Sequence, residues 1–241
     1  MKNTKKFLAI LLTLSFVVSM FSFNVFADDA IESPIIPVGP VPEEWYQYEL
    51  NAETNTAVLT AFNAGPNRTK IVVRSTYTKD GVEYSVEAIG SDAFKGTDIQ
   101  SVEIQEGVKS IAAGAFANCA SLTSVKIAAS VTSIDATAFD GSKWLENQPE
   151  GVVYAGNVAL VAKGACEASV ALKNDTVPIA DGAFKNQTTL EKIIIPQATT
   201  VGVDAFSGCT AVTIYCYENS PAHAYAQENG INFVLIPPLV L

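Results

Sequence analysis

The sequence predicts a repeat solenoid of mostly parallel β-strands joined by short turns and capped at both ends. Three observations predict it. The dipeptide Ala-Phe recurs at Ala93-Phe94, Ala115-Phe116, Ala138-Phe139, Ala183-Phe184 and Ala205-Phe206, with phenylalanine spacings of 22, 23, 45 and 22 residues. Four residues before each alanine stands a branched aliphatic: Ile89, Ile111, Ile134, Ile179 and Val201. After the phenylalanine, apolar residues return with period two, as Val102 and Ile104, Val125 and Ile127, Ile193 and Ile195. A period of this size marks stacked coils, each burying its apolar face only against its neighbours.

The N-terminal residues read as an export leader. Lys2, Lys5 and Lys6 precede an uncharged, mostly apolar run from Phe7 to Phe26, and Val25-Phe26-Ala27 places small residues where a signal peptidase reads. Residues 1–27 are therefore expected to be removed. The alternative is an N-terminal membrane helix, since the run is nearly long enough to span. Ser and Asn within the run, and Asp28-Asp29 straight after it, favour cleavage. No cysteine stands at the cleavage position, so a lipid anchor is not expected. Pro237-Pro238-Leu239-Val240-Leu241 carries no sorting motif or basic tail. The expectation is a secreted protein, or one loosely associated with the cell surface, with no membrane span after cleavage.

Residues 28–44 are acidic and rich in proline (Pro34, Pro37, Pro40, Pro42), the composition of a flexible linker. Residues 45–85 alternate in short runs between turn-rich stretches, which predicts an N-terminal cap of antiparallel strands. Residues 86–217 hold the coils. Val86, Val108 and Val131 precede the aliphatic position by three, and the later coils have Thr176 and Ala198 there. The V-x-I end of each coil alternates as a strand with Val and Ile facing inward. The Ala-Phe piece is too short for more than a turn or a single helical turn.

The 45-residue gap equals two ordinary intervals, so one coil has lost its phenylalanine. Residues 140–175 are that degenerate coil. Val152-Val153-Tyr154, Ala155-Gly156-Asn157 and Val158-Ala159-Leu160-Val161 read as strand, turn, strand. They predict a hairpin protruding from the stack, with Trp144 as a core plug. Residues 218–241 form the C-terminal cap: Ser220 caps a helix over Pro221–Glu228, Pro221 suits its first position, and Asn229-Gly230 stops it before a closing strand.

Together the coils give V-x-x-I-x-x-x-A-F-x-x-C/T-x-x-L-x-x-V-x-I. This template resembles the BspA-like leucine-rich repeat family over residues 86–217. The W-x-x-x-Q-x-x-G-V-V-Y run from Trp144 to Tyr154 is also similar to an insertion seen in relatives. The resemblance implies a right-handed β/α superhelix with 3-10 or helical segments between strands. It also implies binding at a cell surface or outside the cell, to host matrix proteins, mucosal surfaces or other bacteria.

Charge limits the partners. The net charge is −10 at pH 7, and removing residues 1–27 takes away three lysines and no acid, leaving −13. Nucleic acid and anionic membrane both need basic patches, so neither is an expected partner. Of the four cysteines, Cys119 and Cys209 occupy the same repeat position about four coils apart. At roughly 4.8 Å per coil they stand about 19 Å apart, beyond the roughly 7 Å a disulfide spans. Cys119, Cys166, Cys209 and Cys216 are read as small buried thiols, with Cys209–Cys216 left as an open pairing.

Chemistry is sparse. The chain has one histidine, His223, and no G-x-S-x-G, H-E-x-x-H, C-x-x-C or P-loop motif. No catalytic residue, cofactor or metal site is expected. A hydrolase built on Cys216 and His223 is the enzymatic alternative. What remains is surface, and the outward positions Glu103, Lys126 and Ile194 are expected to form a partner-binding stripe across the strand face. The reading is a non-enzymatic binding protein whose partner is a protein or glycan on a host or bacterial surface. The alternative is a structural or scaffold component of the cell envelope. Mass spectrometry of the exported chain is expected to find a protein starting near Asp28; retention of residues 1–27 refutes the leader assignment.

Overall fold

The computed structural model describes residues 45–63 and 69–237. The expected leader (1–27) and linker (28–44) lie outside them. β1 (Tyr46–Asn51) folds back antiparallel onto β2 (Thr56–Phe62). β3 (Lys70–Val73) follows, and then β4 (Thr76–Lys79) makes a hairpin with β5 (Val82–Ile89). Its turn, Asp80-Gly81, has φ of 53° and 80°, the double left-handed conformation that a two-residue hairpin turn requires.

This N-terminal region is already part of the solenoid. β2 runs parallel to β5, with Leu59 opposite Ile89, and β3 runs parallel to β6 (Ser101–Ile104), with Ile71 opposite Val102. The expected all-antiparallel cap is thus a first coil with two hairpins added. Ala61-Phe62 is its corner. Phe62 donates its N–H to the Ala93 carbonyl at 2.8 Å, and its ring centre lies 5.1 Å from that of Phe94. The interval from Phe62 to Phe94 is 32 residues, lengthened by the β4–β5 hairpin, so it escapes a search for a fixed period.

The regular coils add β7 (Ser110–Ile111), β8 (Ser124–Ile127) and β9 (Ser133–Ile134). One sheet takes the order β1-β2-β5-β7-β9, with β4 also on β5; the other takes β3-β6-β8. After a short helix, α1 (Lys143–Glu146), come β10 (Gly151–Ala155), β11 (Val158–Lys163), β12 (Ser169–Ala171), β13 (Pro178–Ile179), β14 (Lys192–Ile194), β15 (Thr200–Val201) and β16 (Thr213–Tyr217). α2 (Pro221–Glu228) and β17 (Asn232–Ile236) close the described chain. The second half repeats the two-sheet plan, as β10-β11-β13-β15 and β12-β14-β16-β17. An isolated parallel bridge joins Asp135 to Asp181 across the junction.

The Ala-Phe corners are successive turns rather than helices. Two positions in each corner explain why. The residue two before the ring is left-handed in several coils (Asp92 59°, Gly114 66°, Gly182 69°, Asp204 54°), and so is the residue two after it (Gly96 69°, Asn118 58°, Gly141 66°, Asn186 63°, Gly208 80°). A left-handed residue on either side stops helical hydrogen bonding from propagating, and Gly, Asn and Asp are the residues that tolerate it. Between them the chain delivers one hydrogen bond to the next coil. Phe94 donates to the Ala115 carbonyl at 2.7 Å, Phe116 to Ala138 at 2.7 Å, and Phe184 to Ala205 at 2.8 Å. The rings stack above these bonds. Phe94–Phe116, Phe116–Phe139 and Phe184–Phe206 have centres 4.9, 5.1 and 5.2 Å apart and planes within 13° of parallel.

The same bond locates the lost phenylalanine. Ala162 donates to the Ala183 carbonyl at 2.7 Å, and Gly164, two residues on, is left-handed at 72°. Ala162 stands 23 residues after Phe139 and 22 before Phe184, so it holds the ring position without a ring. The ring packed next on Phe139 is instead that of Trp144 of α1, buried with its centre 4.8 Å away.

The hairpin in this coil does not protrude, contrary to the sequence reading. β11 is a rung of the ladder: Ala159 pairs with Ile179 of β13, and Val158, Ala159 and Leu160 are buried. The sequence shows the tight turn but not which strand finds a parallel partner. Lys163 secures the hairpin to α1, donating from Nζ to the carbonyls of Leu145, Glu146 and Gln148 at 3.0, 2.6 and 2.5 Å. A cation at the carbonyls of a helix C-terminus is a favourable pairing.

One template position also moves. Thr199, not Ala198, fills the inward place held by Val108 and Val131, because this coil is one residue shorter before Val201. Thr199 is buried and donates from Oγ1 to the Thr176 carbonyl at 2.6 Å.

At the C-terminal end, Ser220 caps α2 by accepting from the His223 N–H at 3.2 Å. α2 buries Ala222 and Ala226, and Tyr225 meets the Phe206 ring edge-on at 6.1 Å. A helix residue thus ends the aromatic stack. Removing one ring from its middle leaves a cavity costing about 3–5 kcal/mol. Phe116→Ala is therefore expected to lower the thermal midpoint by several degrees while Lys126→Ala barely moves it; equal shifts in calorimetry contradict this register.

Candidate functional site

Alternation on the V-x-I strands sends one set of residues into the core and the other into solvent. In β14 and β16, Ile193, Ile214 and Cys216 are fully buried. Their neighbours face outward and line up across four strands. Ala171 stands opposite Ile194, Ile194 opposite Tyr215, and Tyr215 opposite Val234. The adjacent row is polar: Ser169, Lys192, Thr213 and Asn232. At about 4.8 Å per strand, each row is about 14 Å long. Lys192 places its Nζ 4.5 Å from the centre of the Tyr215 ring. On β10, between buried Val153 and Ala155, Tyr154 carries the Lys173 ammonium 4.1 Å from its ring centre and accepts the Lys173 N–H at 3.1 Å.

The structure brings together two of the three residues expected to form a stripe and sets the third apart. Glu103 and Lys126 are register partners on β6 and β8, and their side chains form an ion pair at 2.6 Å. Both are largely exposed, and such a pair contributes little to stability. They border an open groove of about 440 Å³ that also contacts Ser75, Ile104, Glu106 and Ala128. Ile194 belongs to the other sheet, because the β10–β11 hairpin breaks the parallel ladder between β8 and β12. The stripe is therefore two faces: a charge-paired one on β3-β6-β8, and an apolar-aromatic one on β12-β14-β16-β17. Sequence spacing named Ile194 but missed Tyr215 and Val234. The last coils depart from the V-x-I pattern, and their register emerges only from strand pairing.

The cysteines serve the coil corners. Cys119 lies three residues after its ring and donates from Sγ to the Phe94 carbonyl of the preceding coil at 3.1 Å. Cys209 does the same to the Phe184 carbonyl at 2.9 Å. Gln187 reaches the Ala162 carbonyl at 3.4 Å from the equivalent position. All four cysteines are free thiols, and burial pushes each above its ordinary pKa, so none is a ready thiolate nucleophile. His223 accepts the Asn219 N–H on Nδ1 at 3.2 Å and packs against Phe233 at 4.7 Å. Among the described residues, no cluster of His, Cys, Asp and Glu could hold a metal ion, and no helix is long and apolar enough to cross a membrane.

Parallel strand ladders, a buried ring stack and 22- to 23-residue coils define a leucine-rich repeat solenoid. The family model for the BspA type leucine rich repeat region, in six copies, matches residues 87–213 and 164–229, and the chain belongs to that family. Similar solved structures include a T. pallidum leucine rich repeat protein (18% identity, 73% of this chain and 70% of that one, TM-score 0.43). A Bacteroides ovatus leucine-rich repeat protein is 23% identical over 70% of this chain and 45% of that one, with a TM-score of 0.43. A leucine rich cell surface protein of Faecalibacterium prausnitzii is 24% identical over 71% of this chain and 53% of that one, with a TM-score of 0.40. Among curated proteins none matches.

The thiols make stability depend on pH. Their folded-state pKa values lie above the ordinary 9.0 because burial disfavours the thiolate. The stabilisation is therefore complete below about pH 9 and is lost as pH rises through the folded values. The thermal midpoint is expected to fall as the pH is raised from neutral to about 10. Cys119→Ala blunts that fall, and identical slopes for the two proteins contradict the assignment.

Proposed function

We propose that the chain is an exported, non-enzymatic binding protein that engages a protein or glycan at a host or bacterial surface. The contact is made through the outward face of β12-β14-β16-β17. One observation carries this reading: the row Ala171, Ile194, Tyr215 and Val234 is apolar in a chain of net charge −10, and Val234 is 42% exposed. An apolar patch rimmed by polar groups is the usual form of a recognition surface. Tyr215 under Lys192 adds a ring with a cation beside it, which suits a planar apolar ligand face with polar edges. A scaffold without a ligand has no use for such a row. The charged face at Glu103 and Lys126 neutralises itself, so it offers weaker grounds for contact.

The test is a binding screen of the purified protein against matrix proteins, mucins and a glycan array. Once a ligand is found, Ile194→Asp and Tyr215→Ala are expected to weaken its binding at least about tenfold, as loss of a buried anchor residue does, whereas Lys126→Ala leaves it unchanged. Binding lost with Lys126→Ala but kept with Tyr215→Ala moves the contact to the other sheet.

A further inference from the structure

Among the described residues, nothing pairs with the outer edge of β17. It is the terminal strand of β12-β14-β16-β17, pairing with β16 in an unbroken parallel register from Thr213↔Asn232 to Tyr217↔Ile236. Edge strands are ordinarily blunted by a charge, a proline or a bulge within the strand. Asn-Phe-Val-Leu-Ile contains none of these. Phe233, Val234 and Leu235 are 37%, 42% and 43% exposed, so the strand offers apolar side chains on both faces as well as an open backbone edge.

The direction of the free backbone groups follows from the neighbouring bonds. Thr213 donates its N–H to the Glu191 carbonyl, and the Tyr215 carbonyl accepts from Ile195, so residues 213 and 215 address β14. Residues 214 and 216 therefore address β17. With Ile214 opposite Phe233 and Cys216 opposite Leu235, the N–H and C=O groups of Phe233 and Leu235 point away from β16, to the open edge.

We infer that β17 pairs antiparallel with β17 of a second copy of this chain, about a two-fold axis at Val234. The strand is complementary to itself in that register. Phe233 of each copy exchanges both backbone hydrogen bonds with Leu235 of the other, and the two Val234 side chains meet at the non-hydrogen-bonded position, where side chains come closest. Charge selects the same occupant. Two copies of net charge −10 repel over most of their surfaces, yet no charged residue occurs between Glu228 and Leu241, so this edge is where they meet without like charges opposed. The pairing makes one eight-stranded sheet and joins the row Ala171, Ile194, Tyr215 and Val234 to its symmetry mate, doubling the proposed binding row. An isologous two-fold contact of this kind closes on itself and does not propagate into fibres.

Sedimentation velocity on protein purified from expression of the full chain tests this directly. The expected species is a dimer. Val234→Lys sets two ammonium groups face to face across the axis, and Leu235→Pro removes an N–H from the open edge without touching the β16 ladder. Each is expected to raise the dimer dissociation constant at least about tenfold. Circular dichroism and an unchanged thermal midpoint at a concentration where both proteins are monomeric establish that the fold persists. A wild-type monomer throughout the accessible concentration range, or a dimer indifferent to both folded variants, overturns the inference. No ligand enters this experiment: a dimer that binds nothing in the screen counts against the binding reading alone, and a monomer that binds counts against the dimer alone.

Discussion

A single hydrogen bond, repeated from coil to coil, organises this molecule. Phe62, Phe94, Phe116 and Phe184 each donate their N–H to the alanine carbonyl of the next coil, at 2.7 to 2.8 Å. The bond brings two corners to strand-pairing distance, and the corner alanines Ala93, Ala115, Ala138, Ala183 and Ala205 are buried there. Left-handed residues two before and two after the ring bend the chain into position. The aromatic ring then falls directly over its predecessor, and the cysteine or glutamine three residues on donates to the preceding ring residue's carbonyl. Ala, Phe, Gly/Asn and Cys therefore recur together because each satisfies a different demand of one corner.

The degenerate coil shows which of these demands are separable. It keeps the backbone bond through Ala162 and the left-handed glycine at Gly164, but draws its aromatic ring from Trp144, 18 residues upstream. The backbone bond to the next coil and the ring packed on Phe139 come from different parts of the chain, and Lys163 links them by holding the carbonyls at the end of α1. The exchange has a surface consequence. With β10 turned antiparallel to β11, the outward strand face is divided into two sheets of different character. One carries the Glu103–Lys126 ion pair; the other carries the apolar row through Ile194 and Tyr215.

The ends of the stack are treated unequally. At the N-terminal end, β1 covers β2 and Tyr46 lies 5.0 Å from the Phe62 ring, so aromatic contact extends past the first corner. At the C-terminal end, α2 covers the ring stack through Tyr225, while β17 leaves the second sheet open. The corner is thus sealed and the strand edge is available, which makes this edge the natural place for the solenoid to be continued by another molecule.

The Ala-Phe interval, the V-x-I alternation and the capped helix at Pro221 were legible in the sequence because each is a local demand on neighbouring residues. A buried ring, a period-two strand and a Ser-Pro helix start leave their mark wherever they occur. The position of the lost ring was readable only as an interval: Ala162 looks like any small residue until its N–H is seen on the Ala183 carbonyl. Ala61-Phe62 was hidden for a related reason, since the β4–β5 hairpin shifted its spacing without altering its place in the stack. The candidate site was the least legible. Ile194 stood out as an apolar residue at an outward position, but successive members of its row, Ala171, Ile194, Tyr215 and Val234, lie 19 to 23 residues apart in the chain and share no motif. The sequence by itself determined the coil, because coil packing constrains inward residues at short range. Only the tertiary structure decided the surface, because outward residues become neighbours through strand register, which inward packing and hairpin insertions set.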